Sequence, residues 1–155
     1  MKRYMLISAL LVIILFGTTS NVFSQVKMQK GQTVYVPAYS HVFRGDNAIE
    51  YNLAITLMIR NTDFKNAITV KAVEYYDDDG KLVKKMIDKP VKIGPMASAS
   101  FFIKESDTSG GVGANFIVKW ESEKAINVPI IEAVMVGIRL NQGIVFISQG
   151  QVIRE

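Results

Sequence analysis

"YNLAITLMIRN", residues 51–61, sets Leu53, Ile55, Leu57 and Ile59 on one side of an extended chain and Ala54, Thr56, Met58 and Arg60 on the other. Successive side chains in a strand point to opposite faces, so this two-residue period predicts a strand with one buried face. The segments around it repeat the signal. Ala67–Tyr76 carries Ile68, Val70 and Ala72 in phase, then shifts to Val73 and Tyr75, which predicts a bulge or bend. "DDDG" at 77–80 predicts a hairpin into Lys81–Ile87, because acids plus glycine between two β-prone runs favour a tight turn.

Pro90 and "IGP" at 93–95 mark the next connection, since proline cannot donate to a sheet ladder. Ala97–Lys104 follows with Phe101 and Ile103 inward, then Ala114–Glu121 with Phe116, Val118 and Trp120 on the buried face. Pro129 opens Ile130–Leu140, where Val134, Val136 and Ile138 share a face. "NQG" at 141–143 turns the chain into Ile144–Ile153, and Gln32–Pro37 supplies one more strand upstream. About eight short strands at regular spacing, with no helical period after residue 24, predict an all-β fold. An immunoglobulin-like β-sandwich is expected, a single domain over 32–155, because a lone sheet would leave its apolar face uncovered. Residues 25–31 are polar and read as a flexible lead-in.

The first 24 residues have a different character. Lys2 and Arg3 precede a nearly unbroken apolar run, Met5–Phe16, broken by Gly17, Thr18, Thr19 and Ser20, and Ser24 is a small residue at a cleavage position. This is the layout of a signal peptide, and the run falls short of the roughly 20 residues a spanning helix needs. No retained membrane anchor is expected, and the mature chain is placed in the periplasm or outside the cell. The sequence has no cysteine, which excludes a disulfide framework, thiol chemistry and a lipid at a cleavage-site cysteine. Of 18 basic residues, Lys2 and Arg3 leave with the signal peptide, so 16 face 14 acids and the net charge is +2. Signs alternate along the chain without a basic block, so nucleic acid is not an expected partner.

Several short motifs carry chemical residue types. "DTSGG" at 107–111 shares letters with the aspartic-protease tripeptide, but Ser109 separates Thr108 from Gly110. It also shares Ser-Gly-Gly with the chymotrypsin-type nucleophile loop, with His41 upstream and Asp63 as a conceivable third member. Thr108 stands where that loop has aspartate, and the chain is far shorter than a double barrel. "GGVGAN" at 110–115 lacks a P-loop lysine and leads into a strand rather than a helix. The plain reading is a turn in which Asp107, Thr108 and Ser109 bond to their own backbone and the glycines supply positive φ. Asp77, Asp78 and Asp79 are consecutive rather than alternate, and the twelfth position is Asp88, so an EF-hand is not formed. His41 is the sole histidine, so no histidine-rich metal site is expected, and no cofactor motif is present.

"VYVPAYSHVF" at 34–43, "IRNTD" at 59–63, "ITVKAVEYYDDDGKLV" at 68–83 and "DTSGGVGANFIVKW" at 107–120 together resemble the bacterial family DUF3124, a domain of unknown function. The resemblance covers most of the mature chain and implies a small exported protein. It carries no catalytic or binding residues with it. One departure is Lys119, where the family pattern has an acid. The polar segments near strand ends give the candidate binding set: His41, Arg60, Asn61, Asp63, Asp107, Thr108, Ser109 and Asn115. The function expected from these features is a non-enzymatic envelope module that binds a protein or glycan partner through strand-end loops. The alternative is a small secreted hydrolase or ligand-binding protein using the His41, Asp107 and Ser109 loops.

Overall fold

The computed structural model describes residues 28–139 and 142–153. The expected signal peptide, the question of an anchor, residues 25–27, Leu140 and Asn141, the first residue of "NQG", lie outside the described residues. Twelve strands run along the described residues: β1 (Met28–Pro37), β2 (His41–Arg44), β3 (Ile49–Asn52), β4 (Ala54–Arg60), β5 (Ile68–Tyr76), β6 (Leu82–Lys85), β7 (Val91–Ile93), β8 (Ser98–Ile103), β9 (Asn115–Asn127), β10 (Ile130–Arg139), β11 (Gln142–Gln149) and β12 (Gln151–Ile153). All pairings are antiparallel, and no helix occurs among the described residues.

A six-stranded sheet is ordered β12-β1-β9-β5-β6, with β7 also on β5, and a four-stranded sheet is ordered β11-β10-β4-β8. β2 and β3 form a separate hairpin. The inward faces of both larger sheets line one apolar core. β4 contributes Ile55, Leu57 and Ile59, fully buried, from the strand that opened the sequence reading, with Leu53 just before it. β9 contributes Phe116, Val118 and Trp120, and Tyr75 of β5 packs its ring 4.9 Å from that of Phe116.

The phase shift in β5 is a bulge. Val70 pairs with Trp120 and Ala72 with Lys119, which leaves Lys71 as the extra residue. That single insertion turns Val73 and Tyr75 inward after Ile68 and Val70. Exposed Lys71 is held by Glu121, with Nζ 2.8 Å from the carboxylate. β9 has a larger irregularity: Gln29 pairs with Ile126 and Gly31 with Glu121, so residues 122–125 bulge out opposite the single Lys30.

Four features differ from expectation. The strand count is twelve rather than about eight, because "HVFR" and "IEYN" make a short hairpin and Val91–Ile93 pairs with β5; runs of three or four residues show too little alternation to read. β1 starts at Met28, inside the expected lead-in, where Met28 and Gln29 pair with β9. Val134, Val136 and Ile138 do share a face, but it is the outer one; Ile131, Ala133 and Met135 are buried instead. The run to Ile153 is two strands that belong to different sheets. Gly150 lies between them, its N–H bonded to the Ile131 carbonyl at 2.8 Å, and a Cβ there would press on Val34 and on the Ile131 oxygen.

The partition into inner and outer positions is testable. Leu57→Ala is expected to lower unfolding free energy by about 2–5 kcal/mol, as a cavity in a close-packed core does. Phe64→Ser, at a residue 77% exposed, is expected to change it by less than about 0.5 kcal/mol. Urea unfolding of both variants checks this, and similar losses would contradict the partition.

Candidate functional site

The candidate residues fall into two groups at opposite ends of the strands. His41, Asp107, Thr108, Ser109 and Asn115 lie where β1 ends and β9 begins. Arg60, Asn61 and Asp63 lie where β4 ends. Asp63 is therefore no partner for His41 and Ser109.

At the first end the organising residue is Ser40, which the sequence reading passed over. It is fully buried. Its hydroxyl donates to the carbonyls of Gly111 (3.0 Å) and Thr108 (3.2 Å), and its N–H donates to the same Gly111 oxygen at 3.0 Å. Its own carbonyl accepts from Leu53 N–H at 2.9 Å. One small side chain thus ties the β1–β2 connection to the 104–114 loop and to the start of β4. His41 Nδ1 sits 3.3 Å from Ser40 Oγ, and its ring meets Phe43 edge-on at 5.5 Å.

"DTSGG" is a turn. Gly111 N–H donates to the Thr108 carbonyl at 3.1 Å, and Asp107 Oδ1 accepts from the Ser109 N–H (3.2 Å) and hydroxyl (2.5 Å). Gly111 has φ +71°, and a Cβ there would overlap the carboxylate of Asp78 from the "DDDG" turn. Asp77 closes that second turn by accepting from Asp79 and Lys81 N–H. The Ser109 hydroxyl proton is committed to Asp107, and the His41 contact goes to Ser40. Beneath the loop, burial and then the charge of Asp107 push the Tyr75 hydroxyl well above the usual phenol range. Asn115 opens β9 between Pro37 and Tyr76.

At the other end a buried amide and carboxylate do the same structural work. Asn61 Nδ2 donates to the carbonyls of Asn66 (2.8 Å) and Gly94 (2.9 Å), its N–H donates to Ala97 (2.9 Å), and its Oδ1 accepts from Asp63 N–H (3.0 Å). Asp63 Oδ1 accepts from the N–H groups of Lys65 (2.9 Å) and Asn66 (2.8 Å) and from Asn66 Nδ2 (3.0 Å), while its carbonyl accepts from Met96 N–H. Thr62 bonds to the Val128 carbonyl. Loops 61–67 and 94–97 are therefore fixed to each other and to the β9–β10 connection. The Lys65 N–H, then that of Asn66, holds the Asp63 carboxyl below its ordinary range, against the opposing pull of burial. Arg60 sits on the outer face of the four-stranded sheet, paired with Glu132 at 3.3 Å.

What these loops display was not read from the sequence. Phe64 is 77% exposed and Met96 58% exposed. Met96 has φ +56°, a left-handed conformation rare for a side chain of its kind. Beside them runs a groove of about 490 Å³. Lys65, Lys92 and Lys124 supply its basic groups, Glu121 and Glu123 its acids, and Pro95 and Ser122 part of its wall. Residues 122–124 reach the groove because of the β9 bulge, beside the laddered Glu121. The available signal was an aromatic inside a polar loop, "TDFKN", and a methionine in a proline-glycine turn, "GPM". Among the described residues no group of three or more His, Asp or Glu is placed to hold a metal ion.

The fold defines an all-β protein of antiparallel sheets around one core. The chain belongs to the family described as "Protein of unknown function (DUF3124)", whose model matches residues 31–153. No curated protein matches it. A solved structure, from Thermotoga maritima (1070), is similar at 15% identity with a TM-score of 0.46, over 80% of this chain and 96% of that one.

Two outcomes follow. The lowered Asp63 value means its contribution to stability is full above about pH 4, the ordinary aspartate range, and is lost as pH falls through the folded value. Urea midpoints measured from pH 5 down to pH 2 are expected to fall less steeply for Asp63→Asn than for the parent; equal slopes would contradict the lowered value. A serine-reactive fluorophosphonate is expected to leave the protein unlabelled, because the Ser109 hydroxyl is bonded to a carboxylate, too weak a base to make it nucleophilic, while the His41 ring contacts Ser40. Labelling abolished by Ser109→Ala would overturn this.

Proposed function

We propose that this protein is an exported, non-enzymatic module of the cell envelope, a β-sandwich of immunoglobulin-like character, that binds a protein or glycan partner through the loops at the Asn61–Asp63 end. The sandwich reading is supported by two antiparallel sheets that share one core. Export rests on the sequence of residues 1–24.

The observation that carries the binding reading is the rigid display of Phe64 and Met96 beside a lysine-lined groove. Folding gains little from two large apolar side chains in water. Aromatic residues and methionine are enriched where proteins meet, and a loop already ordered loses less entropy on binding. Lys65, Lys92 and Lys124, with Glu121 and Glu123 between them, suit a partner with both carboxylates and basic groups around an apolar contact.

Capture from solubilised envelope tests this. The mature protein is compared with Phe64→Ser, Lys92→Glu and Thr108→Arg, the last at the opposite end, and a sugar array is probed with the same set. A partner bound by the parent and by Thr108→Arg, with at least tenfold weaker binding by Phe64→Ser, is expected. Capture no better than a scrambled control, or loss on Thr108→Arg alone, would overturn it.

A further inference from the structure

The two larger sheets present different outer faces. On the six-stranded sheet three successive outward rows each hold a charge: Glu121 stands between Gly31 and Thr69, Lys119 between Thr33 and Ala72, and Glu74 beside Lys85. The outer face of the four-stranded sheet is apolar. One row across its strands is Ile147, Val134, Thr56 and Phe102. The next is Val145, Val136 and Ala54, with Ile138 one row further along β10. Phe102 and Ile147 are each 57% exposed, Val145 65% and Ile138 71%. Among the described side chains of these strands, the charges on this face are Arg60 and Glu132, which pair with each other at its Asn61 end. β10 and β11 contain "IIEAVMVGI" and "IVFI", the near-continuous apolar runs of strands covered on both sides. The chain's own core covers one side.

We infer that the outer face of the four-stranded sheet is a self-association surface, packed face to face on the same surface of a second copy. Whatever covers this face must be flat, apolar and free of charge opposite its two central rows. Among the described residues, the same face of another copy is the surface that meets this description, and a two-fold contact needs one self-complementary patch. The area is what a dimer needs. Four strands about 4.8 Å apart and nine residues at about 3.4 Å give a face of about 19 Å by 30 Å, on the order of 600 Å². Two copies then bury about 1,200 Å² in total, where specific, stable interfaces begin. Left in water, a patch of this size stands at the upper end of what a monomer exposes, about 300–600 Å². The contact uses neither Phe64 nor Met96, so the inference is independent of the loop-end binding reading.

Sedimentation velocity on the protein purified after export, from about 5 to 300 μM, tests it. The parent is expected to move from monomer to dimer across this range. Phe102→Lys and Ile147→Lys lie on strands at opposite edges of the one face. Both are expected to stay monomeric with an unchanged circular dichroism spectrum, because an ammonium buried without a partner opposes the contact. Should either fail to fold, Thr56→Lys, between them on β4, is read in its place. Ile117→Lys, on the outer face of the other sheet, is expected to dimerise like the parent. Loss of the dimer for one edge strand alone would point to edge pairing and overturn the inference. A parent that stays monomeric at 300 μM would also overturn it, and co-flotation of that monomer with phosphatidylcholine vesicles would assign the face to lipid instead.

Discussion

The constraint on which this structure depends is the crossing of the chain between two sheets. Each crossing takes a loop over the end of the core, where its backbone groups lose water and must find partners. A few small polar side chains meet the requirement. Ser40 satisfies carbonyls of the 104–114 loop at one end, and Asn61 with Asp63 satisfies loops 61–67 and 94–97 at the other. Leaving a buried polar group unsatisfied costs about 1–3 kcal/mol, so the three residues outweigh their share of the chain. They also explain why polar residues near strand ends resemble a functional set: in Asn61, Asp63 and Ser40 the chemistry is turned inward.

Two irregularities in the six-stranded sheet then decide what the ends look like. The extra residue at Lys71 lets one strand place Ile68 and Val70, and then Val73 and Tyr75, in the same core. The bulge at 122–125 withdraws part of β9 from its ladder with β1 and sets Ser122, Glu123 and Lys124 against the 61–67 and 94–97 loops. Without it the groove would lack that wall. The first irregularity serves packing; the second shapes a surface.

The sequence was most legible where one face of a strand is buried and the other wet. β4, the phase shift in β5 and the inward face of β9 were all readable from alternation, and so was the turn at Asp77–Gly80. Legibility failed where alternation is short or ambiguous. β2, β3 and β7 are three or four residues each, and in β10 the apolar residues on both faces made the inner one unreadable. Of the candidate site, Asp107–Gly111 was readable as a turn because its side chains act on neighbouring backbone. Ser40 was not, since its partners lie 68 and 71 residues away. Phe64 and Met96 were hidden for a related reason: exposure of a single residue between strands is set by how loops pack, which has no period.

Met96 shows how the fold and the surface differ in what they ask of a residue. A left-handed φ favours glycine or asparagine, and another residue there carries strain of order 1 kcal/mol or more. Gly94, two positions away, keeps an ordinary φ while its carbonyl accepts the Asn61 amide, so the left-handed position falls on Met96 itself. The Met96 N–H is needed for the bond to the Asp63 carbonyl, but any residue except proline supplies an N–H. Backbone geometry and hydrogen bonding thus account for the turn and leave the side chain unexplained. Its thioether stem instead stands in water on a loop tied to the one that carries Phe64. A flexible, polarisable side chain and an aromatic displayed on two loops joined by a backbone bond can adapt to a partner's surface without reordering the backbone beneath them. The strain at residue 96 is therefore better assigned to the surface that the loop presents than to the fold that holds it.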